Sequence, residues 1–391
     1  MSVEALRGLE ARYTMPTYVR APVEFVRGEG AKLWDADGRE YLDFFAGLSV
    51  HNAGHCHPRI VQAIREQAAR LAGTSNLYYS EPALRLAERL VGSSLGGRAF
   101  LCNSGAEANE CALKLVRKHA HGRGIEHPEV VVLEDGFHGR TLGTLAATVK
   151  LAREDLFGPL PAGFRSVPRD DSAALRAAVG GSTAAVLLEP IQGEAGVFPI
   201  ADEMIAAARE ACDASGALLV FDEVQTGMGR TGSLWAFEQL QARPDVMTAS
   251  KALGGGLPVG ACVTASHLET VLEAGEHGTT FGGGAIAAAA ALATLDVIDD
   301  PGLLGAVTAT GEALIGGLGG LPGVAEVRGR GLMVGVTLAE GLDAKEVAAR
   351  CLEARLVINV PGPSMLRFLP PLVIDEADTG KALEILRAAL V

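Results

Sequence analysis

The chain has 391 residues, 48% hydrophobic and 21% charged, a length and balance that suit a globular protein of two unequal domains, since single cores stop growing at about 250–300 residues. No run approaches the roughly 18 apolar residues of a membrane span. The 34 basic and 47 acidic side chains, net −13, form no basic stripe, which argues against nucleic acid or an anionic membrane as partner.

The N-terminal MSVEALRGLEARY has neither an apolar core nor a basic, serine-rich character, and six cysteines (56, 102, 111, 212, 262 and 351) form no CxxC pair. A reducing cytoplasm is the expected location. Segment 24–45, EFVRGEGAKLWDADGREYLDFF, alternates and turns at 28–30 and 37–38, which predicts antiparallel hairpins. HNAGHCH (51–57) raises a zinc reading through His51, His55, His57 and Cys56. No second Cys or His pair accompanies it, and Pro58 opens the helical pattern PRIVQAIREQAARL, so these side chains read as turn and capping residues and no metal is expected.

From about 99 to 265 short apolar runs (AFLCN, VVVLED, AAVLLEP, ALLVFDE, VMTAS) alternate with helical patterns such as ANECALKLVRKH and ADEMIAAAREACDAS. That rhythm predicts an α/β fold with a mostly parallel sheet covered by helices, in which ligands gather at the carboxyl ends of the strands. After AIAAAAALATLDVI (285–298) the chain turns to a long helix, the pair VAEVRGRGLMVGVTL, the helix AKEVAARCLEARL, short strands around LVINV and MLRFLP, and a last helix. The expected division is a large domain over 49–299 and a smaller α+β domain from 1–48 plus 300–391.

The strand ends hold the candidate chemistry. After AFLCN, residues Ser104, Gly105 and Ala106 open a helix, where free amides and the helix dipole favour an anion; Ser104 with Glu107 also fits an S-x-x-E capping box that needs no ligand. EDGFHGRT offers Phe137 for stacking on a planar ligand, with His138 beside it and Arg140 as a carboxylate fork. AAVLLEP ends near Glu189, and the glycine-lined loop IQGEAGV carries Glu194, of interest if a buried arginine needs a counter-charge. ALLVFDE ends in Asp222, costly to bury without a cation.

GMGRTG (227–232) satisfies the dinucleotide pattern G-x-G-x-x-G, but five residues, Asp222 to Thr226, separate it from the strand, and in the true fingerprint the strand runs directly into the first glycine. No GxSxG nucleophile elbow is present. The run VMTAS is followed at once by Lys251, then by ALGGG. An anion cradle, an aromatic plane, a carboxylate and an amine are what pyridoxal phosphate needs for its phosphate, ring, ring nitrogen and aldehyde.

The motifs MPTYVRAPVEFVRGEGAKLWDADGREYLDFFAG, GHCHP, SNLYYSEP, NSGAEANE, FHGRT, LEPIQGEAGV, FDEVQTGMGRTG, SKALGGGLPVGA, HGTTFGG and RFLPPL, spread from about residue 13 to 372, resemble the class III pyridoxal-phosphate aminotransferases of fold type I. SNLYY and MPTY are nearer the branch acting on N-acetylornithine than the ornithine branch; ornithine, succinylornithine, 4-aminobutyrate and N-succinyl-diaminopimelate are the alternative donors. The resemblance implies that Lys251 bonds the cofactor and later moves the proton, that Asp222 pairs with the ring nitrogen, and that Gln225 bonds the phenolic oxygen. It implies further that Phe137 stacks on the ring, that Ser104, Gly105 and Ala106 hold phosphate, and that His138 and Glu189 stand beside the cofactor. Thr280 is expected to reach the phosphate of the partner subunit's cofactor, which implies an obligate homodimer with active sites at its interface.

For substrates, the resemblance implies that Arg140 takes the distal carboxylate of either the acylated ω-amine or glutamate, and that Arg367 takes the α-carboxylate of glutamate. Asn76 and Tyr18 are implied nearby. Glu194 would neutralise Arg367 when an ω-amine occupies the site. Two departures stand out: TFGGGAIA has Gly284 and Ala285 where the family has Asn-Pro or Asn-Ala, implying a looser helix start, and SKALGGG has Ala252 where glycine is frequent, harmless if φ there stays negative.

Overall fold

The computed structural model describes residues 1–149 and 154–391. Its centre is a seven-stranded sheet in the order Gly96–Cys102, Gly260–Ala265, Val246–Ala249, Leu218–Asp222, Thr183–Leu188, Glu129–Leu133, Phe164–Val167. All neighbours are parallel except Gly260–Ala265, which runs antiparallel to the strands on both sides. The strand period of two divides its side chains between two cores: Val131, Leu133, Val186, Leu188, Leu219 and Phe221 enter one, while Val130, Val132, Ala185, Leu187, Leu218 and Val220 enter the other. Each buried Val, Leu or Phe among them contributes roughly 1.5–3 kcal/mol by leaving water, which is why the runs read as unbroken apolar segments.

Two strands of this sheet are absent from the sequence expectation. Phe164–Val167 is a half-exposed edge, and Gly260–Ala265 (GACVTA) is built of small residues that give no apolar run. The glycine opening the latter has a steric reason: a Cβ on Gly260 would sit 2.4 Å from the carbonyl of Ser104.

The N-terminal hairpins form as expected. Phe25–Glu29, Lys32–Asp35 and Glu40–Asp43 make an antiparallel meander, joined in parallel by Leu356–Val357 from the far end of the chain. Val324–Arg330, Met333–Leu338, Met365–Phe368 and Asn359–Gly362 form a second, antiparallel sheet of four strands. Helix Pro301–Gly319 is long and apolar enough to cross a membrane, which corrects the sequence expectation on that point. Its buried residues Val307, Gly311, Leu314 and Leu318 fall on one stripe, and Gly311 lies against the backbone of Gly331, as in a helix packed on its own hairpin.

The GMGRTG segment is a junction. Arg230 is completely buried; its Nε donates to Ser49 Oγ at 2.9 Å and its Nη1 to the carbonyls of Leu332 and Pro370 at 2.9 and 2.6 Å. Its Nη2 reaches Asn52. The histidines of 51–57 also act structurally: His55 Nε2 lies 2.6 Å from Asp43 Oδ2, with the ring of His51 4.4 Å from that of His55. His57 occupies the cap position of helix Pro58–Arg70 without making a side-chain cap bond, so its expected capping role is not seen.

Candidate active site

At the carboxyl edge of the central sheet lies a cavity of about 480 Å³. Lys251 reaches it from the connection between Val246–Ala249 and Gly260–Ala265, a hairpin whose loop is tied by Ser250 Oγ donating to the carbonyl of Val259 at 2.7 Å. Lys251 has a left-handed backbone, φ +45, whereas Ala252 does not, so the alanine is tolerated and the conformational cost falls on the lysine. Gly255 and Gly256 are also left-handed, φ +57 and +108, and a Cβ on Gly255 would meet Thr294 Oγ1 at 2.4 Å. These glycines let the loop run tight against helix Ala285–Ile298. Among the described residues the Lys251 amine has no hydrogen-bond or ion-pair partner, and burial lowers its pKa, opposed by Glu194 and reinforced by Arg367.

Across the cavity, Ser104 caps helix Gly105–Gly122, its Oγ accepting from the Glu107 amide at 3.2 Å. Only half of the expected capping box forms: the Glu107 carboxylate goes to the amide and side chain of Asn103, at 3.0 and 2.8 Å. The amides of Gly105 and Ala106 have no intrahelical acceptor and line the cavity. A Cβ on Gly105 would stand 2.8 Å from both methyls of Val224, so glycine keeps this rim low.

Asp222, 3% exposed, closes the deep end. Its Oδ2 lies 2.8 Å from His138 Nδ1 and accepts from Asn109 Nδ2 at 2.7 Å, while Oδ1 accepts from the Val224 amide at 3.1 Å. Asn109 is itself oriented by Thr248 Oγ1, 2.8 Å from its carbonyl oxygen. Burial works to lower the pKa of His138, but the bond and charge of Asp222 outweigh it and the imidazole is raised overall. Phe137 forms one wall, its amide donating to Glu189 Oε1 at 2.9 Å.

Burial raises the Glu189 carboxyl to about 7, His138 opposing and Asp222 assisting. A folded-state value above the ordinary 4.5 means that Glu189 supports the fold below pH 4.5 and loses that contribution as pH rises through 7. The displacement corresponds to roughly 3 kcal/mol. Over this window the stability of a Glu189→Gln protein, from urea-unfolding midpoints, should therefore improve relative to wild type as pH rises; a constant difference would contradict the assignment.

Arg367, 1% exposed, supplies the buried cation that Glu194 needed. Nη1 donates to Glu194 Oε1 and to the Gly193 carbonyl, both at 2.8 Å, and lies 3.3 Å from Gln225 Oε1. Nε and Nη2 both donate to Asn359 Oδ1, at 2.9 and 2.7 Å. Burial pushes the Glu194 carboxyl up, but Arg367 prevails and its pKa is lowered. Arg140 stands exposed at the cavity mouth, its guanidinium 5.9 Å from the Phe137 ring centre, with no ion pair among the described residues.

The structure thus brings Ser104, Gly105, Ala106, Phe137, His138, Arg140, Glu189, Glu194, Asp222, Gln225 and Lys251 around one cavity, with Arg367 bonded to its edge. It does not bring Asn76, Tyr18 or Thr280 there. Asn76 donates to the carbonyls of Thr279 and Gly282 at 3.0 and 3.1 Å, Thr280 lies exposed in that same loop, and Tyr18 is 72% exposed. Asn109 and Asn359, which orient Asp222 and Arg367, are missing from the sequence reading; only inward helix phase and strand register signal them.

The unpaired amides at a helix start, the unpartnered amine and the buried carboxylate held by an imidazole and amide donors fit the phosphate, aldehyde and ring nitrogen of pyridoxal phosphate. Fold and site together define a pyridoxal-phosphate enzyme. The chain belongs to the class III aminotransferases: the family described as "Aminotransferase class-III" matches residues 13–390. It is 45% identical over 381 residues, 96% of this chain and 95% of the relative, to an acetylornithine aminotransferase of Methanocaldococcus jannaschii. Among solved structures it resembles the ornithine aminotransferase of Toxoplasma gondii (TM-score 0.94, 32% identity, 100% of this chain and 95% of that one). The acetylornithine aminotransferase of Elizabethkingia anophelis is similar too (TM-score 0.90, 33% identity, 100% and 99%).

Proposed function

We propose that this aminotransferase moves the terminal amino group of N-acetylornithine to 2-oxoglutarate, yielding N-acetylglutamate semialdehyde and glutamate, a cytoplasmic step of arginine biosynthesis. The observation that carries the reading is the Glu194–Arg367 pair, 2.8 Å long at the cavity edge, opposite an exposed Arg140 that has no such partner among the described residues. Glutamate brings two carboxylates and occupies both arginines. An ω-amine brings one, which takes Arg140, and its alkyl chain then faces Arg367; an unpaired buried cation there would cost several kcal/mol, and Glu194 removes that cost. The acetylornithine aminotransferases among the relatives support this choice of donor.

Pyridoxal phosphate supplies an electron sink for the carbon that gains or loses its proton. Lys251, whose pKa burial lowers, would hold the aldehyde and serve as the proton carrier. Asp222 keeps the ring nitrogen protonated, with His138 and Asn109 fixing its carboxylate. Phe137 orients the ring, Gln225 takes the phenolic oxygen, and the amides of Gly105 and Ala106 beside Ser104 take the phosphate.

The working unit is a homodimer in which Thr280 reaches the phosphate site of the partner subunit, with Asn76 and Tyr18 near its substrate. Their position away from the cavity of their own chain supports this. Residues 49–299 form the cofactor-bearing domain, and 1–48 with 300–391 the smaller one, a division supported by the sheet that Glu40–Asp43 and Leu356–Val357 share. A monomer in sedimentation at assay concentration would refute the dimer.

A half-reaction panel tests the donor: each ω-amine is mixed with the pyridoxal form and loss of the lysine-bound cofactor's absorbance is followed. N-acetylornithine should react fastest; its failure where 4-aminobutyrate succeeds would overturn the reading. In the same assay Glu194→Ala should slow the N-acetylornithine half-reaction by about 10²-fold, for the unpaired arginine, and the glutamate half-reaction by no more than about threefold. Equal losses would refute the switch.

A further inference from the structure

The loop that carries Glu194 rests on the four-stranded sheet along a single row. Arg328 pairs in register with Gly335, Gly335 with Arg367, and Arg367 with Asn359, so these side chains share one face of the sheet. The loop is held over that row at two carbonyls: Gly193 accepts from Arg367 Nη1 at 2.8 Å, and Gly196 accepts from Arg328 Nη2 at 2.7 Å. Between the two arginines Gly335 leaves the floor open, because a Cβ there would stand 2.4 Å from the Gly196 carbonyl and 2.9 Å from Val197 Cβ. Val197 is buried and has φ +62, a conformation that a β-branched residue keeps only when its surroundings impose it.

Arg328 is itself built into place. Nη1 donates to Thr337 Oγ1 at 2.6 Å, and the guanidinium lies 3.9 Å from the centre of the Phe198 ring, with Arg169 at 4.1 Å from it. Arg169 is neutralised by Asp135 at 3.0 Å, so the ring next to the loop is fixed by two anchored cations.

We infer that Arg328 is a positioning residue for the Glu194–Arg367 pair: with Gly335 as floor, it holds the backbone of loop 193–197 so that the carboxylate returns to one place whenever Arg367 is free of substrate. This rests on the proposed role of Glu194 as a switch. Glutamate displaces the carboxylate and does not need the held loop, whereas an ω-amine needs it in register. Loosening the loop therefore acts on one half-reaction.

The test uses the holoenzyme. Arg328→Met should raise KM for N-acetylornithine in its half-reaction by about tenfold with kcat changed by no more than about twofold, and leave the glutamate half-reaction within about twofold. In the Glu194→Ala background the same substitution should add no further asymmetry. Gly335→Ala, which pushes on the Gly196 carbonyl and leaves both arginines in the chain, should give the same split and serves if the Arg328 variant fails to fold. Equal effects on both half-reactions while Glu194→Ala alone remains selective would overturn this inference only; a Glu194→Ala protein that is not selective would overturn the switch reading with it.

Discussion

A Lys251→Ala protein is expected to lose activity by on the order of 10⁴-fold or more and to lack the absorbance of lysine-bound cofactor. The first effect follows from the proposed role as covalent anchor, since among the described residues Lys251 supplies the one unpartnered amine at the cavity, and removing a general base alone costs about 10²–10⁴-fold. The fold should be indifferent. The amine makes no described hydrogen bond, and a buried cation without a partner opposes folding, so urea-unfolding stability should equal or exceed that of wild type. Arginine at this position should fail equally, since it keeps a charge but cannot form the bond. A variant that retained the absorbance band would show that another amine holds the cofactor.

Asp222→Asn should lower kcat by roughly 10²–10³-fold, the range seen when one electrostatic partner of a reacting centre is removed. Asparagine preserves the volume and can still accept from the Val224 amide, but it no longer carries the charge that holds a ring nitrogen protonated. His138 gives a second readout. Its pKa is raised because Asp222 outweighs burial; with the charge gone, burial prevails, and the folded-state value should drop below the ordinary 6.5 in an NMR titration. The sign of the stability effect follows: a raised histidine supports the fold fully below pH 6.5 and ceases to as pH rises through its folded value. The advantage of wild type over the variant should accordingly narrow with rising pH across that range. A variant with unchanged kcat would refute the pairing of Asp222 with the ring.

Much of this site was legible because a parallel sheet places its chemistry at the strand ends. Asp222, Glu189 and Lys251 could be found from where apolar runs stop, and Gly105 from the helix that follows AFLCN. The residues that orient them were not, for a physical reason. Asn109 depends on which side of helix Gly105–Gly122 turns inward, and Asn359 on a register between strands of four residues each. Gly260–Ala265 escaped because its small side chains are chosen for close backbone approach. Arg230 sits in GMGRTG, whose spacing from the strand already set the nucleotide-loop pattern aside, but its structural role was hidden because its partners Ser49, Leu332 and Pro370 lie more than a hundred positions away. Asn76, Tyr18 and Thr280 were implied by likeness to the family, and a single chain leaves them outside its own cavity.

The reversed strand Gly260–Ala265 has an outcome for how this scaffold tolerates change. Because it returns beside Val246–Ala249, both feet of the Lys251 loop stand on the same rim of the sheet, and a residue inserted among Gly256, Leu257 and Pro258 enters the lining of the cavity. At the other end of the same strand, beyond Ala265, added chain points away from the reacting groups. Insertions should therefore be accepted at the exposed turn 273–276, past the buried Leu268, and rejected before 260.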